Sequence, residues 1–120
     1  MRSDKERLQD MEASCELVLQ YAQDVNTYAN LLASNVYRSG ILHELLVIGE
    51  AANHVSQVLR SKYSEISWRE IIDFRNVVAH DYFGIDWPLV WETSIRDVPK
   101  LLGQVRLILS SEFGKDRSGE

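Results

Sequence analysis

A chain of 120 residues makes one domain, long enough to bury roughly two thirds of its unfolded surface, with 45% apolar and 26% charged residues, as in an ordinary globular protein. Its net charge of −5 excludes a broad basic surface, so any RNA must be held at a small, salt-sensitive site. Cys15 is unaccompanied, which excludes an internal disulfide, and neither a membrane-length apolar run nor a signal segment appears, so a cytoplasmic location is expected.

Ser3 and Glu6 have the spacing of a capping box, a serine at the N-cap and a glutamate three residues on. Behind them Leu8, Met11, Cys15, Val18, Ala22 and Val25 recur three and four apart, which predicts one helical seam broken by the polar stretch at Asp24–Asn26. Tyr28, Leu31 and Leu32 predict a short helix ending near Ser34. A long helix is expected from Asn35 to Arg60, on the periodicity of Leu42, Leu45, Leu46, Gly49, Ala52, Val55, Ser56 and Leu59. Its small residues Gly49, Ala51 and Ala52 would let a neighbouring helix approach closely.

After a polar connection over 61–66, Ser67 and Glu70 suggest a second capping box, with Ile66 and Ile71 as its hydrophobic staple. Asp86 or Trp87 opens the last helix, with Pro88 tolerated in its first turn. Its stripe continues through Trp91, Ile95, Val98, Leu101, Leu102, Val105, Ile108 and Leu109, and Pro99 should kink it. Residues 1–113 therefore read as one all-α domain, an up-and-down bundle of four to five helices, and 114–120 as a disordered C-terminal tail.

The helix over 67–82 carries the feature with most chemical content. At about 100° per residue, Arg75 falls in the middle of the apolar stripe made by Trp68, Ile71, Ile72, Val78, Ala79 and Tyr82, whereas Arg69, Asp73, Asn76 and His80 share a different face. A guanidinium on an apolar stripe is costly unless it is paired or faces a cleft or partner. Arg75 and His80 are five apart, about 140° around and 7.5 Å along a straight helix, so convergence needs a helix end, a kink or a second copy. The pair suits phosphodiester cleavage: arginine forks onto phosphate oxygens, and histidine moves a proton near neutral pH. From spacing alone, a buried Arg–carboxylate pair beside an unrelated surface histidine is the commoner explanation, since structural ion pairs outnumber active sites.

Elsewhere the chemistry is sparse. His43 and His54 are about 16 Å apart along one helix and cannot share a metal, and Glu50 with His54 reads as a solvated pair. No cluster has metal-ligand spacing, so neither a metal nor a cofactor is expected. Cys15 is most simply a small buried hydrophobe.

The stretch Arg75-Asn-Val-Val-Ala-His80-Asp-Tyr82 resembles the R-x-x-x-x-H-x-Y motif of HepT-like ribonucleases, in the HEPN superfamily. Leu46-Val-Ile-Gly-Glu-Ala-Ala52, Ile66-Ser-Trp-Arg-Glu-Ile-Ile72, Tyr82-Phe-Gly-Ile-Asp86 and Asp97-Val-Pro99 resemble that family's segments in order and spacing, across roughly residues 5–110. One departure is Asp73, where the pattern has a small residue such as glycine. The resemblance implies a HEPN-like homodimer whose two motifs meet in a cleft. It also implies a metal-independent endoribonuclease, the toxin of a toxin–antitoxin system, acting on RNA rather than DNA. The expected partner is a minimal nucleotidyltransferase antitoxin that silences the cleft by adding AMP to Tyr82. By the same resemblance Arg75 and His80 are the catalytic residues and Asn76 a supporting one. The competing expectation is a non-catalytic HEPN binding module that partners a nucleotidyltransferase, favoured by the acidic charge and by Asp73.

Overall fold

Ser3 begins the first helix as its spacing requires. Its hydroxyl accepts from the Glu6 N–H at 3.2 Å, and the Glu6 carboxylate accepts from the Ser3 N–H at 3.0 Å. In this computed structural model, which describes residues 2–80 and 84–118 (side chains 2–74 and 84–114), the helix so capped is α1, Asp4–Val25. It is followed by α2 (Tyr28–Ala33), α3 (Asn35–His54), α4 (Gln57–Lys62), α5 (Trp68–His80) and α6 (Trp87–Glu92). A π-helical turn over Thr93–Asp97 leads directly into α7 (Val98–Ser118). No strand occurs among the described residues, and the fold is an all-α, HEPN-like bundle.

The long helices build it: α1 packs on α3 and α7, and α3 also carries α5. The seam read from α1 is the centre of the core, with Leu8, Met11, Cys15 and Val18 wholly buried against side chains such as Ile41, Val105, Ile108 and Leu109. Each large apolar side chain buried in this way contributes about 1.5–3 kcal/mol. Burial raises the Cys15 thiol to about 12, so it stays protonated and inert at neutral pH. Arg106 of α7 reaches across to α1, with Nε 3.2 Å from Glu12 and Nη2 3.0 Å from Glu16. No described helix is long and apolar enough to cross a membrane.

The structure corrects the sequence reading in two places. The helix expected over Asn35–Arg60 is two helices, because Val55 turns extended and Ser56 caps α4 by accepting from the Leu59 N–H. The break is held from a distance: Asp4 accepts from the Ser56 N–H at 2.8 Å and from its hydroxyl at 2.6 Å. The second correction concerns the start of α5. Among the described residues no hydrogen bond joins the Ser67 and Glu70 side chains into a capping box. The entry is instead fixed by the Trp68 indole N–H, which donates to the Tyr63 carbonyl at 3.0 Å, and by the Ile71 N–H, which donates to the Ser67 carbonyl at 3.1 Å.

Pro99 leaves a distinct mark on the last helix. It brings no N–H, and its ring crowds the carbonyl four residues back. The backbone widens just before it, and the Val98 N–H reaches the Thr93 carbonyl five residues away, the bond of a π turn. Buried Ser94 returns its hydroxyl to the Val90 carbonyl at 2.8 Å within the same turn. The start of α6 follows the sequence, with Asp86 capping the Leu89 N–H at 3.0 Å. The backbone of α7 is helical through Ser118.

Candidate active site

The helix that carries the motif is anchored at its start and packed along one side. Trp68 is buried, and Ile71, Ile72 and Phe74 lie half-buried against the core, while Arg69, Glu70 and Asp73 are exposed. Gly49, Ala51 and Ala52 are all buried on α3, the neighbour of α5, as the run of small residues had suggested.

The backbone of α5 is helical without interruption from Trp68 through His80. Position 75 follows Trp68 by seven residues and Ile71 by four, so in register it continues the packed face. Positions 76 and 80 follow Arg69 and Asp73 by seven and continue the exposed face. Arg75 and His80 thus occupy register positions on different sides of one helix. The side chains of Arg75, Asn76 and His80 lie outside the described residues, and so does the whole of Tyr82.

The segment bearing Tyr82 runs from the end of α5 to the start of α6, and its far side is firmly held. The Arg38 guanidinium lies over the Trp87 ring, 5.7 Å from its centroid, and donates to the carbonyls of Leu31 and Leu32 at the end of α2. One arginine therefore joins α2, α3 and α6.

Two cavities adjoin α5, and the sequence indicated neither. A cavity of about 270 Å³ lies among α3, α5, the π turn and α7, with apolar walls that include Leu45, Ile48, Ile71 and Phe74 and a rim carrying Asp97 and Lys100. A more open cavity of about 720 Å³ lies between α4 and the start of α5, lined by Arg60, Arg69 and serines including Ser61 and Ser64. The first collects residues from segments distant in sequence, whereas the second is lined within residues 57–70, where only the register of Arg69 on the Asn76–His80 face could have hinted at it.

The two histidines outside the motif sit beside carboxylates of α3. His54 Nδ1 lies 2.9 Å from the Glu50 carbonyl and 3.5 Å from its carboxylate, and exposed His43 lies 3.9 Å from Glu44. Among the described residues no three His, Cys, Asp or Glu side chains cluster as a metal site.

Comparison with known proteins adds an independent line. The family model described as "Ribonuclease HepT-like" matches residues 11–108. A provisionally named RNase of Methanocaldococcus jannaschii is 31% identical, over 89% of this chain and 97% of its own. A second, from Caldanaerobacter subterraneus subsp. tengcongensis, is 28% identical over 93% of this chain and 99% of its own. A Thermococcus cleftensis protein provisionally named ribonuclease HepT is 29% identical over 86% of this chain and 93% of its own. No solved structure gives a significant match.

Proposed function

The chain belongs to the HepT-like ribonuclease family, and from that premise we propose that it is a metal-independent endoribonuclease, the toxin of a HEPN/nucleotidyltransferase toxin–antitoxin pair. The observation that carries the proposal is the complete Arg75…His80…Tyr82 sequence motif, its Arg75 and His80 on α5, inside the segment that the family model matches.

In this mechanism the RNA supplies its own nucleophile. The 2′-oxygen attacks the adjacent phosphorus as a base takes its proton, and the P–O5′ bond breaks as an acid protonates the leaving oxygen. The products are a 2′,3′-cyclic phosphate and a 5′-hydroxyl. His80 is the acid/base group, Arg75 stabilises the charge that develops on the phosphorane oxygens, and Asn76 orients either the imidazole or the phosphate. A homodimer that sets two α5 helices face to face provides two histidines for the two proton transfers. It also removes the obstacle that 140° of helix places between Arg75 and His80 in one subunit. AMP added to Tyr82 by a minimal nucleotidyltransferase closes the cleft through bulk and negative charge. Substrate and antitoxin place the activity in the cytoplasm.

The decisive assay is RNA cleavage in excess EDTA by dimeric protein expressed without antitoxin, its mass showing no AMP. Arg75→Ala and His80→Ala should each lower the rate by about 10²-fold or more with the helical circular dichroism unchanged. Unchanged cleavage by His80→Ala would rule out its role. A second reading, the non-catalytic module that partners a nucleotidyltransferase, is favoured by the net charge of −5 and by exposed Asp73 beside the motif. It requires that unmodified dimer cleave no RNA, yet still bind the nucleotidyltransferase.

A further inference from the structure

A ribonuclease with an acidic surface must concentrate its positive charge where the RNA backbone passes, and α5 has such a place outside the motif. The open cavity between α4 and the start of α5 is lined by two arginines from different helices, Arg60 and Arg69, with Ser61 and Ser64 between them. Neither guanidinium has an ion-pair or hydrogen-bond partner among the described residues, and the Arg60 Nε, like that of Arg7 on α1, is buried without an acceptor. A buried, unpaired donor on a charged group costs free energy that an incoming anion can recover. Other arginines of this chain are spent on protein carboxylates: Arg2 on Asp10, Arg96 on Glu92, and Arg106 on Glu12 and Glu16.

The position of Arg69 gives that unspent charge a direction. Arg69, Asn76 and His80 occupy register positions i, i+7 and i+11, one stripe of α5, and Arg69 precedes His80 by about 16 Å along the axis. We propose that the cavity lined by Arg60 and Arg69 is a phosphate-binding subsite for single-stranded RNA, holding the backbone a few nucleotides from the scissile bond. The proposal rests on the RNA-cleaving reading of the motif. Exposed Asp73 stands between the two points on the same stripe, and Glu70 also lines the cavity. These carboxylates confine attraction to discrete contacts and disfavour a continuous basic track. Two arginines therefore reconcile RNA binding with a net charge of −5.

The test uses full-length His80→Ala protein, which leaves RNA uncut, and a fluorescent twelve-nucleotide single-stranded RNA titrated at several salt concentrations. Adding Arg60→Ala and Arg69→Ala should weaken binding about tenfold and flatten the logarithmic salt slope by about 1.4, two single-strand phosphate contacts. The Arg60→Lys, Arg69→Lys protein should recover most of that slope, which a merely structural role would not produce. Circular dichroism establishes that each variant is folded. Unchanged affinity and slope in the alanine variant overturn the subsite and leave the nuclease reading standing. If the His80→Ala parent does not bind the RNA and the native chain does not cut it, the nuclease reading falls and the subsite falls with it.

Discussion

Glu112 shows how much one half-buried carboxylate can connect. It accepts from the Tyr63 hydroxyl at 2.5 Å and from Lys62 Nζ at 2.8 Å, tying the end of α4 to α7. Those two bonds hold its carboxyl below the ordinary value, and the same carboxylate raises both Lys62 and Tyr63. The depressed Glu112 adds stability that is present above its unfolded value and lost as the pH falls through its folded one. The raised Tyr63 and Lys62 add stability that is present below their unfolded values and lost as the pH rises through their folded ones. Stability against urea should therefore weaken at both ends of the pH scale. Glu112→Gln should be less stable at neutral pH and show shallower limbs on both sides; parallel curves for the two proteins would refute the linkage. At this scale the core was legible, since the spacing of Leu8, Met11, Cys15 and Val18 determines their burial. The Glu112 knot was not, because it joins residues 49 apart.

At the scale of elements, the instructive case is the break at Val55. Periodicity runs through it undisturbed, because Val55 and Leu59 keep helical spacing and are both buried. What divides α3 from α4 is Ser56, held by Asp4 from 52 residues away. Local pattern cannot register a partner at that distance. Asp4→Ala should cost about 1–2 kcal/mol, read from urea unfolding, while Asp10→Ala, which loses an exposed pair with Arg2, should cost under about 1 kcal/mol. Equal effects would show that the Asp4–Ser56 contact is no more than a surface pair. The motif helix was legible for a different reason: its packed face is set by Trp68, Ile71 and Ile72, and position 75 follows from their register.

For the whole molecule, the bundle is what periodicity predicts, and the proposed catalytic geometry is what would require a second copy of the chain. On the proposed mechanism, a helix that separates Arg75 from His80 by about 140° holds only part of an active site. Activity should therefore follow dimer concentration. Dilution through the dimer dissociation range should lower the specific RNA cleavage rate in step with the loss of dimer mass by light scattering; a rate per chain that ignores dissociation would place the whole site in one subunit.

The π turn before Pro99 has a consequence of another kind. Its ring holds one residue more than an α-helical turn, so Thr93–Asp97 store a spare residue between two segments that are otherwise in phase. Deleting exposed Ile95 should leave the faces of α6 and α7 where they are, but it returns the Pro99 ring to an ordinary helix at a cost of about 3 kcal/mol. Combined with Pro99→Ala, the same deletion should regain most of the lost stability in urea, and failure to regain it would show that the turn does more than accommodate the proline. This is the point at which the chain can change length without changing shape, provided the proline is exchanged along with the residue that is lost.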